Sequence, residues 1–547
     1  METPRSEASG TQSVISLTTP NPGSVGPNGP LLGALIFGGG GPGHCNCSAS
    51  GATTYHKDLS PRIGFSYAPE HLFGLGQVVL RGGYAIYYGP LDYGDFGQAL
   101  TDGYTASPSA NSNFAPAILL DSGIPSYRPP PNLDPAQDNG GFGFGFGGPT
   151  YVAPGYGRPG MVQNWSFEAE RQLAPDLILN IGYVGMHATR LRSSLAWINN
   201  LNPKFFSLGT ALSADINSST AKSLGITAPF TGFSGSIGQA LRPFPQYTLI
   251  DSDCCLENLG QSTYHALLTK VERRFHNGLN LLASYTFSKT ITDADSALPT
   301  FAQFSGGGLV QDSYNLKGEK SLSYQDIPHM FVLSYIYELP VGKGKKFLNK
   351  GGITDRVLGG WQIGGVQRYQ SGQPLSFGCN GGQFFEFIPG YNGCIRLNRV
   401  SGQPLLSPNA SSFNAPAASN SNNTGCTENK DGTFSPPASG QSYFNCAAFF
   451  DPNGQNLLNQ RGYVFGNMPR ITGEVRSQKY VNEDFSIIKR MSLAEAHSLL
   501  LKAELINAFN RHVFSRRDTG PTDGTFGAVF GTVDGSRKIQ LTLRYQF

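Results

Sequence analysis

The sequence predicts an all-β chain folded as an antiparallel transmembrane β-barrel, and three observations carry that prediction. The first is composition. Charged residues make up 14% of 547, against roughly 25% in an ordinary soluble domain. Aromatics reach 12% and glycines number 70, about twice the usual glycine share. The second is the chain end, Lys538-Ile539-Gln540-Leu541-Thr542-Leu543-Arg544-Tyr545-Gln546-Phe547. A strand turns successive side chains to opposite faces, so this segment has one apolar, aromatic-ended face and one polar face. The third is that this pattern recurs along the chain, separated by connections that alternate short and long.

Other classes fit less well. No stretch approaches the ~18 consecutive apolar residues that a spanning helix needs. The net charge of +3 comes with no basic stripe, so nucleic acid is not an expected partner. A barrel strand meets lipid only at alternate residues, which accounts for a chain poor in charge yet without apolar runs.

Eleven segments read as strands in order: Arg62–Tyr67, Gln77–Tyr88, Val162–Leu173, Leu177–His187, Tyr264–Phe275, Leu279–Thr290, His329–Leu339, Trp361–Ser371, Tyr480–Met491, Leu499–Asn510 and Lys538–Phe547. In the third, Trp165 and Phe167 alternate with Asn164, Ser166, Glu168 and Glu170. In the sixth, Leu279, Leu281, Ala283, Tyr285 and Phe287 make one lipid-type face opposed by Asn280, Ser284, Thr286 and Ser288. In the tenth, Leu499, Leu501, Ala503 and Leu505 alternate with Lys502 and Glu504. Charges within such strands are costly on lipid and cheap in a wet lumen. The expected lipid-facing residues are therefore Leu279, Leu281, Tyr285, Phe287, Leu541 and Leu543.

Short connections follow the first, third, fifth, seventh and ninth strands; long ones follow the others. Outer-membrane barrels place short turns in the periplasm and long loops outside. A soluble β-sandwich has no reason to sort loop length by side. The long loops are rich in Gly, Ser, Asn and Pro, as in Ser411–Thr424 and Gly140–Gly148, and loops of this length are usually functional or disordered. Residues 1–60 read as a loop-like N-terminal segment and 61–547 as barrel. Eleven is an odd count, and an open edge leaves N–H and C=O groups that lipid cannot satisfy. An incomplete arc is expected. The start at Met1-Glu2-Thr3-Pro4 does not read as a secretory signal, so a C-terminal piece of a longer protein is expected.

All eight cysteines, Cys45, Cys47, Cys254, Cys255, Cys379, Cys394, Cys426 and Cys446, fall outside the strands. An even count in exported loops reads as disulfides, and Cys379 with Cys394 and Cys426 with Cys446 are the natural local pairs. The competing reading of His44-Cys45-Asn46-Cys47 as a zinc site lacks a second matched pair.

Remaining motifs have plain readings. Gly342-Lys343-Gly344-Lys345-Lys346 lacks phosphate-loop spacing and reads as a basic turn. Asp293 and Asp295 read as a solvated loop rather than a calcium site. The Gly–Phe alternation of Gly141–Gly148 reads as a flexible loop. Tyr87, Tyr88, Trp361 and Tyr480 are expected in an interfacial aromatic girdle. His187 and His265 lie at outer strand ends with no nucleophile beside them. No catalytic, cofactor or metal residue is expected, and no enzyme activity.

Several stretches carry a family resemblance. They are Asn164-Trp165-Ser166-Phe167 through Arg171-Gln172-Leu173, Gly182-Tyr183-Val184-Gly185, and Leu241-Arg242-Pro243-Phe244-Pro245-Gln246-Tyr247. Further on come Glu272-Arg273-Arg274-Phe275 with Ala283-Ser284-Tyr285-Thr286-Phe287-Ser288-Lys289, His329 through Leu339-Pro340 with Gly342-Lys343-Gly344, and Ala503-Glu504-Leu505-Ile506-Asn507-Ala508-Phe509-Asn510. Together they resemble the C-terminal barrel region of TonB-dependent outer-membrane receptors of the Oar-like, Acidobacteria type. The resemblance implies roughly half of a 22-stranded barrel. It implies ligand capture by extracellular loops and uptake driven by the TonB–ExbB–ExbD complex through a missing N-terminal plug. Tyr545 and Phe547 resemble the C-terminal signal read by the barrel-assembly machinery. The location implied is the outer membrane of a Gram-negative bacterium, and the solute is unknown. The alternative reading is a structural or adhesive outer-membrane protein without transport.

Overall fold

The computed structural model describes residues 13–42, 55–70, 76–89, 158–193, 197–250, 257–294, 310–349, 352–377, 388–410, 424–439, 442–493 and 497–547, with isolated positions between them. The chain opens on a hairpin of β1 (Ser13–Gly26) and β2 (Gly29–Phe37). Then come β3 (Arg62–Tyr67), β4 (Val78–Tyr88), β5 (Met161–Ala174), β6 (Leu177–Ser193), β7 (Glu257–His276) and β8 (Leu279–Thr292). They are followed by β9 (Ser321–Leu322), β10 (His329–Glu338) and β11 (Trp361–Gln370). The connection after β11 holds the short strands β12 (Pro374–Leu375), β13 (Asn398–Arg399), β14 (Thr427–Glu428), β15 (Phe434–Ser435), β16 (Phe449–Phe450) and β17 (Thr472–Arg476). The chain closes on β18 (Tyr480–Ser492), β19 (Ser498–Ile506) and β20 (Lys538–Gln546).

Eleven strands form one antiparallel sheet in the order β20-β19-β18-β11-β10-β8-β7-β6-β5-β4-β3, with β9 added beside β8. These eleven are the segments the alternation predicts, in the predicted order. Each main strand pairs with its successor, as an up-and-down barrel requires. The sheet is not closed: β3 and β20 are its two edges. Turn chemistry fixes the short side. Between β7 and β8, Asn277 and Gly278 both take positive φ, 51° and 82°, the geometry of a two-residue hairpin whose twist matches its strands. The tenth predicted strand stops short of Asn510 because Asn507 turns left-handed, with φ 48°, and β19 ends at Ile506.

Residues directly opposite one another in antiparallel strands share a face, so the registers propagate one face across the whole sheet. Phe65 opposes Gly82, which opposes Phe167, then Tyr183, Leu267, Phe287 and His329. On the other side, Tyr337 opposes Ile363, Ile363 opposes Ile487, Ile487 opposes Ala503, and Ala503 opposes Leu541. This face carries Leu279, Leu281, Tyr285, Phe287, Leu541 and Leu543 together. Its charged side chains sit toward strand ends: Arg171, Arg273 and Lys489 on the turn side, Lys289 and Glu483 on the loop side.

The core is not in the sheet. The largest fully buried side chains, among them Tyr247, Tyr391, Phe377, Phe444, Phe449 and Phe526, all lie outside the eleven strands. They belong to the long-loop side, which is folded into a cap with three apolar clusters. One joins Phe377, Phe434, Phe444 and Phe449 of the β11–β18 connection to Phe526 of the β19–β20 connection. A second joins Leu201, Phe206 and Ile237 of the β6–β7 connection to Ile388, Tyr391 and Tyr463. The third packs Ile15 and Leu35 of the N-terminal hairpin against Phe244, Tyr247 and Ile250.

Two sequence expectations are corrected here. Residues 13–37 are a paired hairpin, not loop, because docking on Phe244 and Tyr247 supplies the buried partner its strands need. The described long connections are packed, not open. Their strands β12–β16 are two residues long, too short to leave a period in the sequence. Gly141–Gly148 and residues 411–423 lie outside the described residues.

Candidate functional site

The face opposite the apolar one is polar and laced with paired charges. Arg81 on β4 donates to Glu168 at 3.3 Å and Glu170 at 3.1 Å on β5, and Asn180 on β6 also donates to Glu168. Lys270 meets Glu272 at 3.1 Å, and Lys502 meets Glu504 at 2.7 Å. These pairs sit mid-strand, and strand periodicity alone puts them here: each is one residue out of phase with a lipid-type neighbour. A surface of this kind holds water and solute in a lumen.

Tyr183 hydrogen-bonds His265 at 2.7 Å, both well inside β6 and β7, so His265 does not end its strand as the sequence suggests, and Tyr285 hydrogen-bonds His329, the first residue of β10, at 2.8 Å. These aromatic pairs lie on the apolar face, where an interfacial girdle belongs. Of the four girdle residues expected from sequence, Tyr88 and Trp361 share that face by register. Tyr87 and Tyr480 do not: they fall on the polar face, under Arg62 and Arg368 respectively. A step of one residue exchanges faces, and proximity to a strand end does not reveal which.

Buried polar contacts lock the loops of the cap together. Glu319 and Arg396, both almost fully buried, form an ion pair. Glu319 also accepts the backbone N–H of Gln311 at 3.0 Å and of Asp312 at 3.2 Å. Arg470 donates to the carbonyls of Glu319 at 3.2 Å and Thr292 at 2.8 Å, tying two loops to the end of β8. Arg476 meets the buried Asp326 at 2.8 Å. Burial pushes the guanidinium of Arg396 below its ordinary range even with Glu319 beside it. It also pushes the Tyr391 phenol up to about 12, so that group stays a neutral donor, to the Gln311 carbonyl at 2.8 Å. Burial holds Asp312 above the usual carboxylate range, and Glu319 adds to the shift.

The sequence-expected residues fall as follows. Cys426 and Cys446 are joined by a disulfide inside the cap. Cys394 is disulfide-bonded, while Cys379, Cys45, Cys47, Cys254 and Cys255 lie outside the described residues. His44 contacts the Pro42 carbonyl. Asp293 is not solvated as expected: it is half-buried, accepts the N–H of Gln261 at 2.5 Å, and is raised above the usual carboxylate range by burial. Asp295 lies outside the described residues. Among the described residues, no group of three or more His, Cys, Asp or Glu is placed to hold a metal ion. His187 contacts Thr263 and no nucleophile. The cap locks Glu319, Arg396 and Arg470 escaped the sequence reading, because their partners are distant along the chain.

A closely sorted barrel face, short turns on one side and a folded loop cap on the other match one family model, the outer membrane beta barrel domain, over residues 1–540. The chain belongs to that family. The barrel is thus an outer-membrane protein of a Gram-negative bacterium. Solved structures similar to it include the outer membrane transporter YddB from Escherichia coli, at 9% identity, covering 86% of this chain and 38% of that one with a TM-score of 0.35. The siderophore receptor PiuA from Acinetobacter baumannii aligns at 8% identity over 89% of this chain and 35% of that one, TM-score 0.32. The FrpB iron transporter from Neisseria meningitidis aligns at 11% over 89% and 39%, TM-score 0.31. The barrel thus spans well under half the length of those structures. No curated protein matches it.

Proposed function

We propose that the chain is the ligand-capturing C-terminal part of a TonB-dependent outer-membrane receptor. Solute binds at the cap, and uptake follows when the arc is joined to a plug and further strands. The observation that carries the reading is the cap itself. The β6–β7, β11–β18 and β19–β20 connections and the N-terminal hairpin converge on the loop side and pack around three apolar clusters. A protein that only spans and scaffolds needs no such rigid, multi-loop structure at the mouth of its lumen. The eleven strands are half of the 22 that the family resemblance implies, and the open edges β3 and β20 are where the remaining strands would pair. TonB–ExbB–ExbD would act through the plug, and the barrel-assembly machinery would read Tyr545 and Phe547. The lipid side would carry Leu279, Leu281, Tyr285, Phe287, Leu541 and Leu543.

Mass spectrometry of spent medium tests this in cells with and without the protein, each with and without a protonophore. The expected result is at least one solute depleted only when the protein and the proton-motive force are both present. No protein-dependent depletion, together with altered adhesion to polysaccharide surfaces, would move the assignment to an adhesin.

A further inference from the structure

The connection from β10 to β11 is the longest on the turn side, and it does not end in water. It carries the basic run Gly342-Lys343-Gly344-Lys345-Lys346 and a seven-residue helix, Gly352–Leu358. Lys489 of β18 opposes Trp361 of β11 on the apolar face, yet Lys489 is only 3% exposed. The reason is that this connection folds back over the outer surface of the sheet. The Lys489 ammonium donates to the carbonyls of Val357, at 3.2 Å, and Gly359, and lies against the Trp361 ring. The Trp361 indole N–H donates to the same Val357 carbonyl at 3.0 Å. The helix therefore rides on the face that meets lipid, at the turn end of the strands.

A cavity of about 260 Å³ opens beneath this fold-back, lined by five cationic residues and two carboxylates; one of the five, Arg490, follows Lys489 on β18 and so turns its side chain to the opposite, polar face. Both carboxylates are engaged. Glu338 pairs with Lys345 at 2.8 Å, and Asp355 accepts the backbone N–H of Lys343 at 2.5 Å. Lys489 is held by the carbonyls above. The side chains of Lys343 and Arg356 make no hydrogen bond or ion pair with another described residue. On the side of the fold-back the lining thus keeps two uncommitted cations. Around it the connection exposes Ile353 by 80%, Val357 by 57% and Leu358 by 46%, with Phe347 and Leu348 half exposed. Exposed apolar residues beside a basic pocket are unfavourable in water. At a membrane interface they are stabilising, because the chains enter the acyl region while the cations meet phosphate.

The geometry points to a binding site for an inner-leaflet glycerophospholipid, with its phosphate held by Lys343 and Arg356 and its acyl chains laid along Val357, Leu358 and Trp361. The turn side is periplasmic in outer-membrane barrels, so the lipid comes from the inner leaflet. The site rests on the membrane placement of the barrel and not on solute uptake, so the two stand or fall separately.

The test uses protein extracted from outer membranes in dodecyl maltoside. Native mass spectrometry compares retention of dioctanoyl phosphatidylglycerol, dioctanoyl phosphatidylethanolamine and dioctanoylglycerol. One copy of either phospholipid should be retained and the diacylglycerol should not. Lys343→Ser with Arg356→Ser should weaken phospholipid retention at least tenfold with heat-modifiable mobility unchanged. Ile353→Ser with Val357→Ser should weaken it without the charge change. Should the double charge variant misfold, phosphatidylglycerol with brominated chains should still quench Trp361 in the unaltered protein, a signal absent in Trp361→Phe. Diacylglycerol retained as well as phospholipid would overturn the phosphate site. Displacement of lipid by millimolar inorganic phosphate would reassign the pocket to a free anion and overturn the lipid. Equal retention by the variant lacking Lys343 and Arg356 would overturn both.

Discussion

Glu319 and Arg396 lie 77 residues apart on two different loops and meet in an ion pair that is 1% and 2% exposed. The pair closes the cap from within. Removing one partner of a buried pair strands the other charge, at a cost of about 3–5 kcal/mol. Glu319→Gln should therefore open the cap to limited proteolysis while the sheet keeps its heat-modifiable mobility. An unchanged digestion rate would show that the pair is dispensable.

The N-terminal hairpin depends on a single glycine. Gly33 has φ +98°, and a Cβ there would stand 2.7 Å from the Phe244 ring. Its carbonyl accepts from the Tyr247 hydroxyl at 2.8 Å and from Asn21 at 3.0 Å. Gly33→Ala is expected to undock residues 13–37, read as faster amide exchange there and at Tyr247. Tyr247→Phe should show a smaller effect, since a net hydrogen bond contributes about 1 kcal/mol.

The terminal strand offers a test of facing. Leu543 opposes Leu501 and Thr542 opposes Lys502, so the two adjacent residues point to opposite faces. A charge near the bilayer midplane costs roughly 2–4 kcal/mol on lipid and much less in the lumen. Leu543→Arg should reduce assembly in the outer membrane, measured as heat-modifiable protein, far more than Thr542→Arg. Equal losses would require a register shifted by one.

Cys426 and Cys446 close a loop with a sequence separation of 20, worth about 3 kcal/mol in the chain-entropy account. Both are buried in the cap, so its side is read at the exposed Lys430, where a membrane-impermeant maleimide should label Lys430→Cys on intact cells. Labelling that appears only after the outer membrane is breached would place the cap on the periplasmic side.

Asp293 gives the cap an acid-side dependence. Its folded pKa lies above the ordinary 3.8 because of burial, so the folded state holds this proton more tightly than the unfolded chain does. The resulting stability is greatest at low pH and is lost as pH rises from about 3.8 through the raised value. Asp293→Asn keeps an acceptor for the Gln261 N–H and removes the charge. Melting curves should show the variant at least as stable as the parent at neutral pH. The difference should shrink to nothing below 3.8. A parent profile flat across that window would contradict the assignment.

The strands were legible because lipid on one side and water on the other impose a period of two that a reader can see. Ile539, Leu541, Leu543 and Tyr545 announce their face without any partner. Loop lengths announced the two sides in the same way. Tyr87 and Tyr480 show the limit of that reading: they stand at strand ends as Tyr88 and Trp361 do, and only the register separates the faces.

The sequence by itself determined eleven antiparallel strands, their order, the side of each connection and the polar and apolar faces. All of these follow from local alternation and local turn chemistry. The tertiary structure alone decided that the described long loops fold into a cap, that residues 13–37 dock on Tyr247, and that Glu319 finds Arg396. It also decided that Lys489, a charge on the apolar face, is covered by the β10–β11 connection. Those outcomes depend on contacts between residues tens to hundreds of positions apart, in segments whose strands are two residues long or absent. Burial there is aperiodic, so the side chains carry no signal until their partners are in place.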